Sequence, residues 1–243
     1  MLWQKCMLFN IQKELSQIVK DIGICDLVFC IDIKEYSKVR EMINGEQKIY
    51  RSILNRRQVF STNNRARFLR RYIKSSLTNK ESHEKFYKGG SLFEPGCLNQ
   101  KDKRICDSEN VYGAINILVD SPVLPNFVGR FTFLPESREQ LSEIENKLID
   151  ITLFLKRWLE LIPLSCYKRL NPLIDYRIVG GVSCQVLNML AKGADRSEVA
   201  SSMSLTERGV DYHISTLKNS LNAKNLAHLV FMGSNYRLIA DWH

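Results

Sequence analysis

No run of apolar residues in this 243-residue chain approaches the roughly 20 needed to span a bilayer. The first residues, MLWQKC, are apolar only until Gln12, Lys13 and Glu14 interrupt them, which argues against a secretory signal; the expected location is cytoplasmic. The seven cysteines (Cys6, Cys25, Cys30, Cys97, Cys106, Cys166 and Cys184) are odd in number and contain no C-x-x-C pair. That reads as free thiols in a reducing compartment, with no support for a bound metal. There is no G-x-S-x-G, no H-E-x-x-H and no phosphate loop, and Gly89-Gly90 and Gly180-Gly181 stand as isolated pairs. Histidines are few (His83, His213, His228 and His243). No reaction, cofactor or catalytic residue is expected, and the lack of a phosphate-accepting aspartate cluster argues against activation by phosphotransfer.

What the chain does have is core-forming composition and positive charge. Hydrophobic content is 44% and charged content 25%, in the globular range, and the length suits one large domain or two ordinary ones. The net charge of +9 suits a polyanionic partner. From Asn171 onward the basic residues are Arg177, Lys192, Arg196, Arg208, Lys218, Lys224 and Arg237, against Asp175, Asp195, Glu198, Glu207, Asp211 and Asp241. The C-terminal part is thus only +1, and the remaining +8 lies before it.

Residues 191 to 230 carry the sharpest pattern. Gly193 can end one helix in the left-handed conformation. Asp195 can cap the next, with Glu198 three residues on completing a capping box. After Met203 and Leu205, Thr206 can cap a third helix whose inner face is Val210, Ile214 and Leu217. Short helices joined by tight turns in this order predict a helix-turn-helix, with generic three-helix packing as the alternative.

The spacing of Ala191, Gly193, Glu198, Val199, Ala200, Leu205, Thr206, Val210 and His213, continued by Leu217, Leu221, Asn225 and Val230, resembles the DNA-binding domain of LuxR-type transcriptional regulators. Departures are Asp195 where the family has Ser or Thr, Gly209 where it has Thr, and Val179 to Gln185 in place of an opening Arg- and Glu-containing run. The resemblance implies a recognition helix starting at Thr206, with Asp211, Tyr212 and Ser215 toward the bases. Glu207 and Arg208 also point outward, and Arg208 is the candidate for a guanine or phosphate contact. Lys218, Lys224 and Arg196 are phosphate candidates. For His213, packing or a phosphate contact is the expected role.

Toward the N-terminus, Ile11, Leu15, Ile18 and Val19 form a helical stripe, Gly23 breaks it, and Leu27 to Ile31 make an apolar strand. Val111–Val119 and Val128–Leu134 are further strand candidates, separated by Pro122, Pro125 and Asn126. A long helix is expected from about Ser137 to Ile162. The fold class expected is α+β: an N-terminal α-β-α sandwich with a central antiparallel sheet, then a C-terminal four-helix helix-turn-helix domain. The boundaries are 1–163 for a sensor and dimerisation domain, 164–175 for a linker and 176–243 for the DNA-binding domain. The order of elements, with Gly113 and Gly129-Arg130-Phe131-Thr132-Phe133 leading strands and Asn235 to Ile239 at the tail, resembles the autoinducer-binding proteins of the same family.

Acyl-homoserine lactone binders of that family carry W-x-x-x-Y and then D-P nine residues on. The counterpart here is Phe68, Tyr72 and Glu81, with plain core packing as the alternative for the two aromatics. Phe68 has no indole N–H, and an unpaired buried polar group costs about 1–3 kcal/mol. The ligand pocket therefore reads as degenerate, acyl-homoserine lactone is disfavoured, and the type of any small-molecule ligand is left open. The same segment holds Lys48, Arg51, Arg56, Arg57, Arg65, Arg67, Arg70, Arg71, Lys74 and Lys80 with no acid between Glu46 and Glu81. A solvated face, a nucleic-acid contact, and recognition of an anionic ligand or acidic protein all fit.

Leu141, Ile144, Leu148, Ile151, Leu155, Trp158 and Ile162 alternate at spacings of three and four, a heptad seam fit for dimerisation. Leu153, Phe154, Leu159 and Leu161 widen the stripe, so part of it must face the sheet. The expectation is an orphan quorum-sensing-type regulator that binds double-stranded DNA as a homodimer, with no membrane association. The second reading is a protein that sequesters another regulator by heterodimerisation.

Overall fold

The computed structural model describes residues 2–23, 26–43, 56–62, 68, 84, 86–93, 98, 100–121, 124–162 and 164–239. The chain opens with α1 (Leu2–Ile22), β1 (Asp26–Ile33), α2 (Tyr36–Met42), β2 (Val59–Phe60), β3 (Gly90–Phe93) and α3 (Gln100–Ser108). It continues through β4 (Ala114–Asp120), β5 (Phe127–Leu134), α4 (Arg138–Asn146), α5 (Leu148–Leu161), α6 (Leu164–Arg169) and α7 (Pro172–Asp175). The last four helices are α8 (Gly181–Ala191), α9 (Arg196–Met203), α10 (Glu207–Ser220) and α11 (Leu226–Asn235).

All paired strands are antiparallel, in the order β2-β1-β5-β4-β3. Gly23 stops α1 with φ +79, the left-handed conformation that a side chain disfavours. Every residue of β1 and β5 is buried, so the two central strands are covered on both faces. Successive side chains alternate between those faces. Phe29 and Phe131 stand on one face, 4.9 Å apart, with Trp158 of α5 edge-on to both. On this side the buried stripe of α1 (Ile11, Leu15, Ile18 and Val19) joins Leu155 and Leu159 of α5. Gly129 lets α5 come close: a Cβ there would stand 3.0 Å from Leu159 Cδ2.

The opposite face is polar. Asp26, Cys30 and Asp32 of β1 share it with Arg130 and Thr132 of β5 and Asn116 of β4. Tyr176, just after α7, reaches this face, as do Phe86 and Tyr87. Helical residues thus flank both sides of an antiparallel sheet, followed by a helical C-terminal domain, the fold class expected from the sequence.

Three details differ from expectation. The helix expected from 137 to 162 is two helices, because Lys147 leaves helical geometry at φ −99, ψ 13. The segment 164–175, expected as a linker, holds α6 and α7, with Cys166, Tyr167, Leu170, Asn171 and Leu173 at most 1% exposed. The strands β2 and β3 and the helix α3 carried too little periodicity to be read from the sequence.

The heptad residues mostly face inward. Leu141, Ile144, Ile151, Leu155 and Ile162 are buried in their own protomer, and Trp158 donates its indole N–H to Glu14 Oε2 at 2.8 Å. Of that seam only Leu148 counts among the exposed large apolar residues. The sheet takes this face because it is the wider apolar side of the two helices. The exposed apolar side chains are instead Ile149, Leu153, Phe154 and Leu161, around the other side of α5.

Candidate nucleic-acid interface

The C-terminal domain is built from caps outward. Gly193 has φ +91 and closes α8. Asp195 accepts from the Glu198 amide at 2.9 Å while Glu198 Oε2 accepts from the Asp195 amide at 2.8 Å, the full capping box. The Glu198 amide, donating to Asp195, holds that carboxyl below the usual carboxylate range. Ser204 then turns the chain at φ 54, and Thr206 Oγ1 accepts from the Gly209 amide at 3.1 Å to start α10. An exposed cap of this kind is worth about 1 kcal/mol.

Val210, Ile214 and Leu217 are buried and seat α10 against α8 and α9. His213 Nδ1 lies 3.0 Å from Ser183 Oγ, so this histidine ties α10 to α8. On the outer face Thr206, Arg208, Asp211, Tyr212 and Ser215 are exposed, with Tyr212 at 67%. Lys224 and Arg196 are exposed and Lys218 is half-buried. Arg208 has no ion-pair partner among the described residues. Arg196 Nε donates to Asp211 Oδ1 at 2.7 Å, with both side chains about half exposed. A pair so exposed is worth at most about 1 kcal/mol, so a phosphate can displace it.

A helix that presents polar side chains on one face, seated by its apolar face on a preceding helix across a tight turn, is the recognition helix of a helix-turn-helix DNA-binding domain. Residues 183–233 match the family model "Bacterial regulatory proteins, luxR family", so the C-terminal domain is a LuxR-type helix-turn-helix domain. No curated protein matches the chain. Among solved structures, the crystal structure of Escherichia coli SdiA in space group P6522 is 16% identical, covering 98% of this chain and 98% of that one, with a TM-score of 0.37. SdiA in complex with octanoyl-rac-glycerol is 14% identical over 99% and 97%, with a TM-score of 0.34.

The N-terminal candidates fare unevenly. Phe68 is fully buried, its ring 6.2 Å from that of Phe93. Tyr72 and Glu81 lie outside the described residues, as does most of the basic segment. Arg56, one of the ten basic residues whose role the sequence left open, is buried at 5% exposure. Its Nη1 donates to Asp32 Oδ2, which also accepts from Arg130 Nε at 3.1 Å. Asp32 Oδ1 accepts from the Ile33 amide at 2.9 Å and from the Tyr176 hydroxyl at 2.5 Å. Tyr87 lies 2.7 Å from the same hydroxyl.

Sequence reading missed this cluster. Its signal was there: Asp26 and Asp32 in one apolar strand and Arg130 and Thr132 in another, each pair at even spacing. The described cysteines Cys30, Cys106, Cys166 and Cys184 carry free thiols, and burial pushes Cys30 and Cys166 up to about 11.

Proposed function

We propose that this protein is a transcription regulator that binds duplex DNA as a homodimer, with α10 in the major groove. The observation that carries the reading is the solvent-exposed outer face of α10 (Arg208, Asp211, Tyr212 and Ser215) in a domain of the luxR family. Arg208 contacts guanine or phosphate, Lys218 and Lys224 contact phosphates, and Arg196 leaves Asp211 for the backbone beside α9. Thr206 sets where the helix begins.

Dimerisation would run through the exposed apolar side of α5, at Ile149, Leu153, Phe154 and Leu161, with Leu148 at its edge. Two such domains on a two-fold axis read half-sites about one DNA turn apart. The regulator works in the cytoplasm, where its DNA lies. No helix among the described residues is long and apolar enough to cross a membrane.

The test is selection from a random-duplex library at moderate salt with the full-length chain. An enriched palindrome supports a dimeric regulator; no enrichment from a folded dimer counts against it.

One observation favours a second reading, a protein that sequesters another regulator through α5. The C-terminal part is only +1, and one of its exposed cations, Arg196, is already paired. DNA affinity falls steeply as salt rises, whereas an apolar heterodimer hardly responds.

A further inference from the structure

The polar face of the sheet converges on charges that DNA binding does not use. Arg56 and Arg130 are buried, their side chains 1% and 0% exposed, and between them lies one carboxylate, Asp32, also fully buried. The nearby acids are spoken for. Asp175 accepts from Arg57 through both oxygens at 2.8 Å, which sets its charge against Arg57, and Asp26 lies at the far end of β1 from Asp32. Burial pushes the Cys30 thiol up to about 11 and lifts the Tyr87 and Tyr176 phenols well above their usual value, so none of them supplies a negative charge at neutral pH. Among the described residues, the cluster holds one positive charge more than it compensates.

The excess has free donors attached. Among the described residues, Arg56 Nε and Arg130 Nη2 are buried without a hydrogen-bond partner. Both guanidiniums are fixed over the Phe86 ring, at 4.6 and 4.8 Å from its centroid, and Arg130 is further held by the Phe86 carbonyl and the Tyr87 ring. Two held guanidinium N–H groups and one uncompensated charge suit a planar monoanion.

We propose that Arg56 and Arg130 form a binding site for a small monocarboxylate, whose oxygens take the free Arg56 Nε–H and Arg130 Nη2–H. One such anion brings the cluster to neutrality, whereas a dianionic phosphate overshoots by a charge. The site does not rest on the DNA-binding reading. Asp32, which shares both arginines with the ligand, is also the acceptor for Tyr176, so occupancy bears directly on the chain leading into the C-terminal domain.

The test uses the full-length chain without DNA, so its failure leaves the DNA reading untouched. Thermal unfolding and calorimetric titration are run with acetate, benzoate and octanoate. Benzamide, octanamide, chloride at matched ionic strength and inorganic phosphate are the controls. The expected result is a rise in Tm and saturable binding with at least one carboxylate and none with its amide or with chloride. Arg56→Gln, which leaves the neutral Arg130–Asp32 pair, should bind that carboxylate at least about tenfold more weakly. If Arg56→Gln does not fold, Arg56→Lys keeps the charge, removes the Nε–H and should show the same loss. A folded wild type that ignores all three carboxylates, a response to phosphate alone, or undiminished binding by the variant overturns the proposal.

Discussion

The Tyr176 hydroxyl donates to Asp32 Oδ1 at 2.5 Å, joining residues 144 apart in the chain. One partner lies in the central sheet and the other opens the approach to the DNA-binding domain. Close by, Asn171 Nδ2 donates to the Tyr236 carbonyl at 2.7 Å, and the Phe127 and Tyr236 rings lie 5.8 Å apart. The segment around α7 is therefore bonded to the sheet on one side and to the end of the last helix on the other.

Tyr176→Phe should keep the ring packing and lose both phenolic hydrogen bonds. Asp32 Oδ1 keeps the Ile33 amide, so the loss is that of a hydrogen bond to a charged group, about 1.5–3 kcal/mol. Chemical denaturation should show that loss, and limited proteolysis should cut faster between 170 and 180. An unchanged cleavage rate would mean that the hydroxyl does not hold the segment.

Asp32→Asn should be far more damaging, because it strips from two buried guanidiniums the one carboxylate that pairs with them among the described residues. Breaking a buried pair in this way costs about 3–5 kcal/mol. A double-mutant cycle with Arg56→Gln measures how much of that comes from the excess charge. The double variant is expected to be more stable than Asp32→Asn alone.

Arg208→Ala should leave the far-ultraviolet circular dichroism and Tm unchanged, since the side chain is exposed and makes no ion pair among the described residues. Binding to a selected operator should weaken by a factor corresponding to about 1–3 kcal/mol. Fluorescence anisotropy at fixed salt reads it, and normal affinity would remove Arg208 from the groove.

Ile149→Asp together with Leu161→Asp places charge on the exposed side of α5, where the two residues are 77% and 82% exposed. Sedimentation should shift toward monomer while the protomer stays folded. The same charges at Ile151 or Leu155, both buried, should instead unfold it.

The Asp195 cap should titrate. Its carboxyl lies below the usual range in the folded state, so its contribution is complete above the ordinary aspartate pKa and is lost as pH falls through the lowered one. The Glu198 amide resonance should move over that acid range in wild type. In Asp195→Asn, which still caps but does not titrate, it should stay put.

How legible all this was depended on how local the cause was. The helix-turn-helix was readable because Gly193, Asp195, Glu198 and Thr206 act within a few residues of themselves, and each turned up in the role its chemistry dictates. The strands β1, β4 and β5 were readable because they are long, apolar and β-branched. The two-residue β2 was not, because its position is set by pairing with Val28 and Phe29 across the sheet. Arg56 stayed undecided for the same reason. Its basic segment fitted a solvated face, a nucleic-acid contact or recognition of an anion alike, and its burial is set by Asp32, 24 residues earlier. The heptad residues of α4 and α5 announced a seam, but spacing alone cannot say whether a seam meets a sheet or a second copy.

The alternation along β1 and β5 separates two kinds of change. Phe29, Gly129 and Phe131 face α5 and set cohesion, while Cys30, Asp32 and Arg130 face the other way. A substitution among the second set leaves the aromatic packing against Trp158 as it was. Descendants of this chain can therefore change the buried charges without disturbing the aromatic packing, provided a guanidinium and its carboxylate change together. A one-residue insertion in either strand forfeits that freedom, since it would turn the charges onto the helices and the rings onto the arginines.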